Sequence, residues 1–428
     1  MSTQISANTQ AILLLTAPLI AGKKAGAASI LSQAEYNRFA RVLHEKGREP
    51  ADLLGTDSAA VIDSCGAQIG AERLKSLLGR GFLLSQAVDR WQSRSIWVVS
   101  RADSAYPRRL KARLKENAPP VLYGCGDPSL LDLGGLAVVG SRHVDEGLMQ
   151  YTMNVGAMAA EARVSIVSGA AKGIDSSAMS GALESGGTVI GVMADSLERA
   201  ALAKGNREAL RDGRLVMISA YDPAAGFNVG HAMQRNKAIY ALADAGLVVT
   251  SDFQKGGTWA GAVEQLEKYH FVPVFVRNGS GIAKGNVALL QRGGKPWPEP
   301  HNGEELLMAM ANARDALAQE PRQESLELRL REEPPIYGAK PNLPAEAIDE
   351  AKLTSSPLTP AERLMAAVSG ILVESLKEPM TDQEVAELLN VSKAQVKVWL
   401  IELVKSGALE KLSKPVRYRI AGVSYRLL

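Results

Sequence analysis

Three short segments of the 428-residue chain join small residues to cations, the composition that a phosphate group calls for. Gly140-Ser141-Arg142 offers a tight turn with close backbone approach, a hydroxyl donor, and a guanidinium able to grip a phosphate through two parallel bonds. Ser168-Gly169-Ala170-Ala171-Lys172-Gly173-Ile174-Asp175 sets a cation among small residues, as a backbone N–H cradle for an anion requires. Gln234-Arg235-Asn236-Lys237 places two cations around an amide, just before the apolar stretch Ala238 to Ala243. Each segment also has a plain reading: a tight strand-to-helix turn with Lys172 solvated and Asp175 capping it, or Arg235 and Lys237 simply hydrated. Brought onto successive loops of one sheet edge, Arg142, Lys172, Arg235 and Lys237 would instead form one cationic grip.

The elements needed to bring them together can be read from the chain. Apolar runs at 136–139, 164–167, 189–192, 215–218, 247–249 and 272–276 alternate with helical stretches, the grammar of an α/β, Rossmann-like, doubly wound parallel sheet. Continuous apolar runs, without alternation, fit strands covered by helices on both faces. In such sheets ligands bind at the carboxyl ends of the strands, where helix N-termini favour anions. This core is expected over 96–312. Residues 1–95 read as a small helical N-terminal domain, with Ser32 capping Gln33 to Glu45 and a helix Ala71 to Leu78 ending at Gly79. Within it, Gly66 to Phe82 fits either a helix-hairpin-helix-like backbone-binding element or a packing unit without a ligand.

Residues 313–357, rich in Glu, Arg and Pro, read as a linker. Residues 358–428 have the order of a winged-helix domain: Asp382 to Leu389, a turn at Asn390-Val391-Ser392, Lys393 to Lys405, then Leu409 to Leu412 and Arg417 to Ile420 as a wing. Thr381 with Glu384, and Ser392, are the expected helix caps. Lys393, Gln395 and Lys397 are candidates for double-stranded DNA contact through the second helix, whose Val396, Trp399, Leu400 and Leu403 form its core face. DNA contact and protein docking remain equally open for this module.

Bulk composition narrows the function classes. The chain is 46% hydrophobic, 22% charged and 5% aromatic, with a formal charge of +3, so any affinity for nucleic acid must arise from local cationic clusters. Cys65 and Cys125 lack metal-site or disulfide-framework spacing, and no metal or cofactor is expected. The apolar run Ala11 to Ile20 is too short to span a bilayer, and Lys23 and Lys24 follow it instead of preceding it. A cytoplasmic protein without membrane contact is expected. No Ser-His-Asp order or Walker-type loop occurs and the five histidines are scattered, with only His143 adjoining a candidate segment; no catalytic residue is assigned.

The order of these segments resembles the DNA-processing protein A (DprA, or Smf) family from about Trp91 to Pro298. The resemblance rests on Trp97 to Pro107, Pro119 to Gly124, Val139 to Arg142, Ser168 to Asp175, Gly181-Ala182-Leu183, Gly186-Gly187-Thr188, Arg235-Asn236-Lys237, Gly285-Asn286, Leu289-Leu290 and Gly293-Gly294. It implies single-stranded DNA bound in a basic pocket, self-association as a homodimer, and delivery of the strand to RecA during transformation. Carried over by position, it assigns the cationic grip to Arg142, Lys172, Arg235 and Lys237, and the shaping of the pocket to Gly140, Ser141, Ser168, Gly169, Gly173 and Asn236.

The chain also departs from the family pattern. Met179 replaces the family's usual His, Ala194-Asp195-Ser196-Leu197 replaces a glycine-rich turn, and Lys255-Gly256-Gly257-Thr258 adds a cation, Lys255, to the candidate contacts. These departures indicate a divergent member, for which phage defence with a co-encoded partner stands beside transformation and recombination. Two further classes stay open. One is a nucleotide-binding or phosphoribohydrolase-like enzyme using Gly256-Gly257-Thr258 with Glu264, although their spacing is displaced; the other is a winged-helix regulator or antitoxin. With few aromatic side chains, Phe227 and Trp259 are the nearby candidates for stacking bases.

Overall fold

The first helices begin where a side chain can satisfy their free N–H groups. Ser6 accepts from the Thr9 amide at the start of α1 (Ala7–Thr16). Ser32 and Glu35 form a reciprocal capping box at the start of α2 (Gln33–Glu45), worth about 1 kcal/mol. Short helices α3 (Ser58–Cys65), α4 (Ala71–Leu78) and α5 (Gly81–Gln92) follow. A computed structural model describes residues 5–19, 30–279 and 281–319, then 372, 379–388, 396, 399–400, 403–404, 409–412 and 417–420. The chain divides into two units, 1–328 and 329–428.

The first unit is built on a nine-stranded sheet. Its strands are β1 (Trp97–Ser100), β2 (Val121–Gly126), β3 (Leu136–Val139), β4 (Ile166–Ser168), β5 (Val189–Met193), β6 (Leu215–Ser219), β7 (Ala245–Val248), β8 (Val274–Val276) and β9 (Lys295–Pro296), in spatial order β1-β2-β6-β5-β4-β3-β7-β8-β9. From β6 to β9 every pairing is parallel, which bears out the doubly wound core. The apolar-run reading did not include β1 and β2, which pair antiparallel with each other and, through β2, with β6. The sheet is therefore mixed, with a two-strand antiparallel extension along one edge.

Helices α6 (Arg108–Leu114), α7 (Glu146–Glu161), α8 (Ile174–Glu184), α9 (Leu197–Leu202), α10 (Lys204–Arg211), α11 (Val229–Leu242), α12 (Gly256–Glu264), α13 (Lys284–Gln291) and α14 (Gly303–Gln319) complete the unit. Side-chain alternation sends Leu136 and Val138 of β3 into a core shared with α7, α8 and the N-terminal helices, and Ala137 and Val139 into a core shared with α6, α11 and α12. Both faces of the central strands are thus buried, which is why they read as unbroken apolar runs. Helix α14 continues to Gln319, past residue 312, where the core was expected to give way to a linker.

In the second unit, α15 (Asp382–Leu388) starts with the expected reciprocal bonds between Thr381 and Glu384. Strands β10 (Leu409–Leu412) and β11 (Arg417–Ile420), expected as a wing, pair antiparallel. Val396, Leu400 and Leu403 are buried with Val385, Leu409 and Tyr418 in a small core, matching the core face read for that helix. Lys393, Gln395 and Lys397 lie outside the described residues, as do Ser392 and Lys405 and the 320–357 part of the expected linker.

Candidate nucleic-acid interface

The chain runs outward from β3 through β4, β5 and β6, then returns to the other side of β3 as β7. Between β3 and β7 successive connections therefore leave in opposite directions, and a crevice opens at the carboxyl ends. A cavity of about 590 Å³ occupies this point, lined by Gly140, Ser141 and Arg142 after β3, by Lys255, Gly256 and Gly257 at the start of α12, and by residues of α11. A second, of about 600 Å³, adjoins it over β4 and contains Gly169, Lys172 and Asp195; the two share Arg142, His143, Ala171, Phe227 and Arg235. Three exposed cations, Arg142, Lys172 and Lys255, thus surround one continuous opening. None of the three makes an ion pair among the described residues.

The four cations expected to act together divide into two kinds. Arg235 and Lys237 do not stand on a loop before a helix: α11 starts at Val229, where the Asn228 side chain accepts from the His231 amide at 3.1 Å. Consecutive residues inside a helix point about 100° apart, so Arg235, Asn236 and Lys237 diverge. Lys237 lies 3.4 Å from Glu264 and over the Tyr269 ring, outside both cavities. Asn236 donates to the Gly257 carbonyl at 2.8 Å, holding the start of α12 against α11. Arg235 is buried, with Nη1 3.5 Å from Asp175 Oδ2.

The Arg235–Asp175 pair forms the floor of the site. Burial raises the Asp175 carboxyl above its ordinary value, against the opposing pull of Arg235 and of N–H donors from Ala171 and Gly140. Burial likewise lowers Arg235, with Asp175 opposing. Two of the guanidinium nitrogens, Nε and Nη1, have no hydrogen-bond partner among the described residues. Gly169 makes this arrangement possible: a Cβ there would fall 1.1 Å from Arg235 Nη1. Its missing side chain is the slot for a guanidinium, where the sequence suggested an approach for phosphate.

The remaining expected residues act as scaffold. Ser168 is buried and donates to the Val138 carbonyl at 2.6 Å, locking β4 to β3. Gly173 has φ of +83°, a conformation that L side chains rarely adopt, and packs against the Ser141 and Arg142 carbonyls. Thr258 donates to the Gly140 carbonyl at 2.9 Å. Of the two stacking candidates, Phe227 is 57% exposed with the Arg142 guanidinium 5.0 Å from its ring, whereas Trp259 is buried against Phe253. Glu264, the carboxylate an N-glycosidic hydrolase would need, is engaged with Lys237 and does not line the cavity. The sequence marks Asp175 only as a cap of its turn, because its partner Arg235 lies 60 positions away, with no local signal to mark it.

Comparison with known proteins identifies the family. The family described as "DNA recombination-mediator protein A" matches residues 97–307. The DNA processing protein DprA of Streptococcus pneumoniae (strain ATCC BAA-255 / R6) is 30% identical over 198 residues, covering 45% of this chain and 68% of the relative. The chain belongs to the DNA-processing protein A family. The Bacillus subtilis (strain 168) DprA is 27% identical over 249 residues, 56% of this chain and 81% of that one. The X-ray structure of DNA processing protein A from Streptococcus pneumoniae superposes with a TM-score of 0.54 at 22% identity, over 72% of this chain and 98% of that one, a likeness of fold. The resemblance carried by the ordered loops is thereby borne out. Among the described residues, no helix is long and apolar enough to cross a membrane.

Proposed function

We propose that this DprA-family protein binds single-stranded DNA across the carboxyl edge of its sheet, as a DNA-processing and recombination factor without a catalytic step of its own. The observation that carries this reading is the trio Arg142, Lys172 and Lys255, exposed and without ion pairs among the described residues around one opening, beside the solvent-facing ring of Phe227. Exposed cations attract a phosphate backbone without reading sequence. An exposed ring next to them adds a surface on which an unpaired base stacks, and a duplex offers no free base face. The uncapped start of α12, with Gly256 and Gly257 lining the cavity, supplies further N–H donors. Family membership favours this occupant over a free nucleotide, and delivery of the strand to a recombinase is the corresponding role.

The test is fluorescence anisotropy of a labelled oligothymidylate titrated with the full chain at stepped salt. Three phosphate contacts predict a slope of log Kobs against log salt of about −2, from roughly −0.7 per contact on a single strand. Strong binding that ignores salt, or equal affinity for a blunt duplex, would overturn the reading.

A further inference from the structure

A third cavity, of about 440 Å³, lies farther along the same edge, lined by His143, Asp145, Tyr151, Thr250, Arg277 and Ala283 among others. It shares His143 with both cavities already described. Arg277 follows directly on β8, two strands beyond β3. Its guanidinium carbon stands 5.2 Å from the centre of the Tyr151 ring and makes no ion pair among the described residues. Two carboxylates lie nearby. Glu299 accepts from the Tyr151 hydroxyl at 3.0 Å, and Asp145 accepts from the Leu148 amide at 2.8 Å as the cap of α7.

The backbone beneath Arg277 is held by a single buried side chain. Asn286 Nδ2 donates to the carbonyls of Val249 and Arg277, each at 3.0 Å, while its Oδ1 accepts from the Ser251 amide at 2.8 Å. The ends of β7 and β8 are thereby fixed relative to each other. The arginine is presented half-buried, braced by an aromatic ring, as a preorganised donor fork.

We propose that Arg277, stacked on Tyr151, is a further phosphate site, receiving the strand as it leaves the Arg142–Lys172–Lys255 opening on the β8 side; this rests on the single-stranded DNA reading. Strands β4, β3, β7 and β8 are consecutive neighbours, so the edge from Lys172 to Arg277 spans roughly 14 Å at ~4.8 Å per strand. That matches about four nucleotides at a stacked rise of ~3.4 Å.

The experiment compares the full-length wild type with Arg277→Ala, Arg277→Lys and Arg142→Ala, measuring affinity for a twenty-residue oligothymidylate across a salt series. With Arg277 as a fourth contact the wild-type slope becomes about −2.8; Arg277→Ala is expected to weaken binding about tenfold at low salt, as one charge-assisted hydrogen bond would, and to return the slope to the roughly −2 of the other three contacts. Arg277→Lys restores the slope, because it keeps the charge. Wild-type affinity and slope in Arg277→Ala, with Arg142→Ala impaired, would overturn this site alone. A wild type that binds no strand would remove the underlying reading together with it.

Discussion

Asp175→Asn is expected to move stability and affinity in opposite directions. The Asp175 and Arg235 side chains are only 8% and 7% exposed and stand 3.5 Å apart. Neutralising one member of such a pair strands a charge in the interior, at a cost of about 3–5 kcal/mol. Asparagine keeps one acceptor oxygen for the loop amides, so the lower end of that range applies, a fall of roughly 6 °C in Tm. Affinity responds differently. A phosphate held in the opening above the pair, taken at ~8 Å from the carboxylate, would feel a repulsion of about 2 kcal/mol at an effective dielectric constant of ~20. Removing it predicts strand binding some thirtyfold tighter. Arg235→Ala should lower both stability and affinity. Differential scanning fluorimetry and anisotropy on the two variants decide the matter: if Asp175→Asn weakens binding in step with Arg235→Ala, the carboxylate is scaffold only and the electrostatic reasoning fails.

Further outcomes follow from individual contacts. Phe227→Ala should leave Tm unchanged, because the ring is 57% exposed, yet weaken strand binding by about 1–3 kcal/mol, the worth of one stacked base; equal affinity in anisotropy would exclude stacking there. Gly169→Ala should lower Tm much as Arg235→Ala does, since its methyl occupies the guanidinium position; an unchanged melt would mean that Arg235 does not fill the Gly169 slot. Glu35 is held at about 2, chiefly by its bond to Arg73 and then by Ser32. Being depressed from 4.5, it contributes stability that is full above pH 4.5 and lost as pH falls through about 2. The Tm deficit of Glu35→Gln should therefore be constant at neutral pH and shrink over that interval; a pH-independent deficit would contradict the assignment.

What was legible in the sequence follows from what is local. Ser32 with Glu35 and Thr381 with Glu384 cap helices through residues three positions apart, so composition announces them. The central parallel strands are buried on both faces and read as apolar runs. Strands β1 and β2 also carry apolar residues, Ile96 to Val99 and Val121 to Tyr123, but their antiparallel pairing along the sheet edge joins distant segments and has no local signal. The candidate loops were found because phosphate cradles use small residues and cations at strand ends. The division among the cations was hidden, because it depends on pairings between distant segments: Arg235 with Asp175, and Lys237 with Glu264. The start of α11 also lies earlier than the sequence reading places it: Val229, Ala232 and Met233 have helical spacing, but the unbroken apolar run begins only at Ala238.

The central claim is tested most directly by replacing Arg142, Lys172 and Lys255 together with alanine and measuring oligothymidylate binding by anisotropy, beside a control in which Arg38, Lys204 and Arg207, exposed as well, are replaced. Both variants lose the same formal charge, so a global electrostatic effect would treat them alike. The account predicts that the first variant, folded by its melting curve, loses binding and its salt dependence, while the control binds like the wild type. Equal losses in both, or strand binding retained by the first, would contradict a binding site at the carboxyl edge of the sheet.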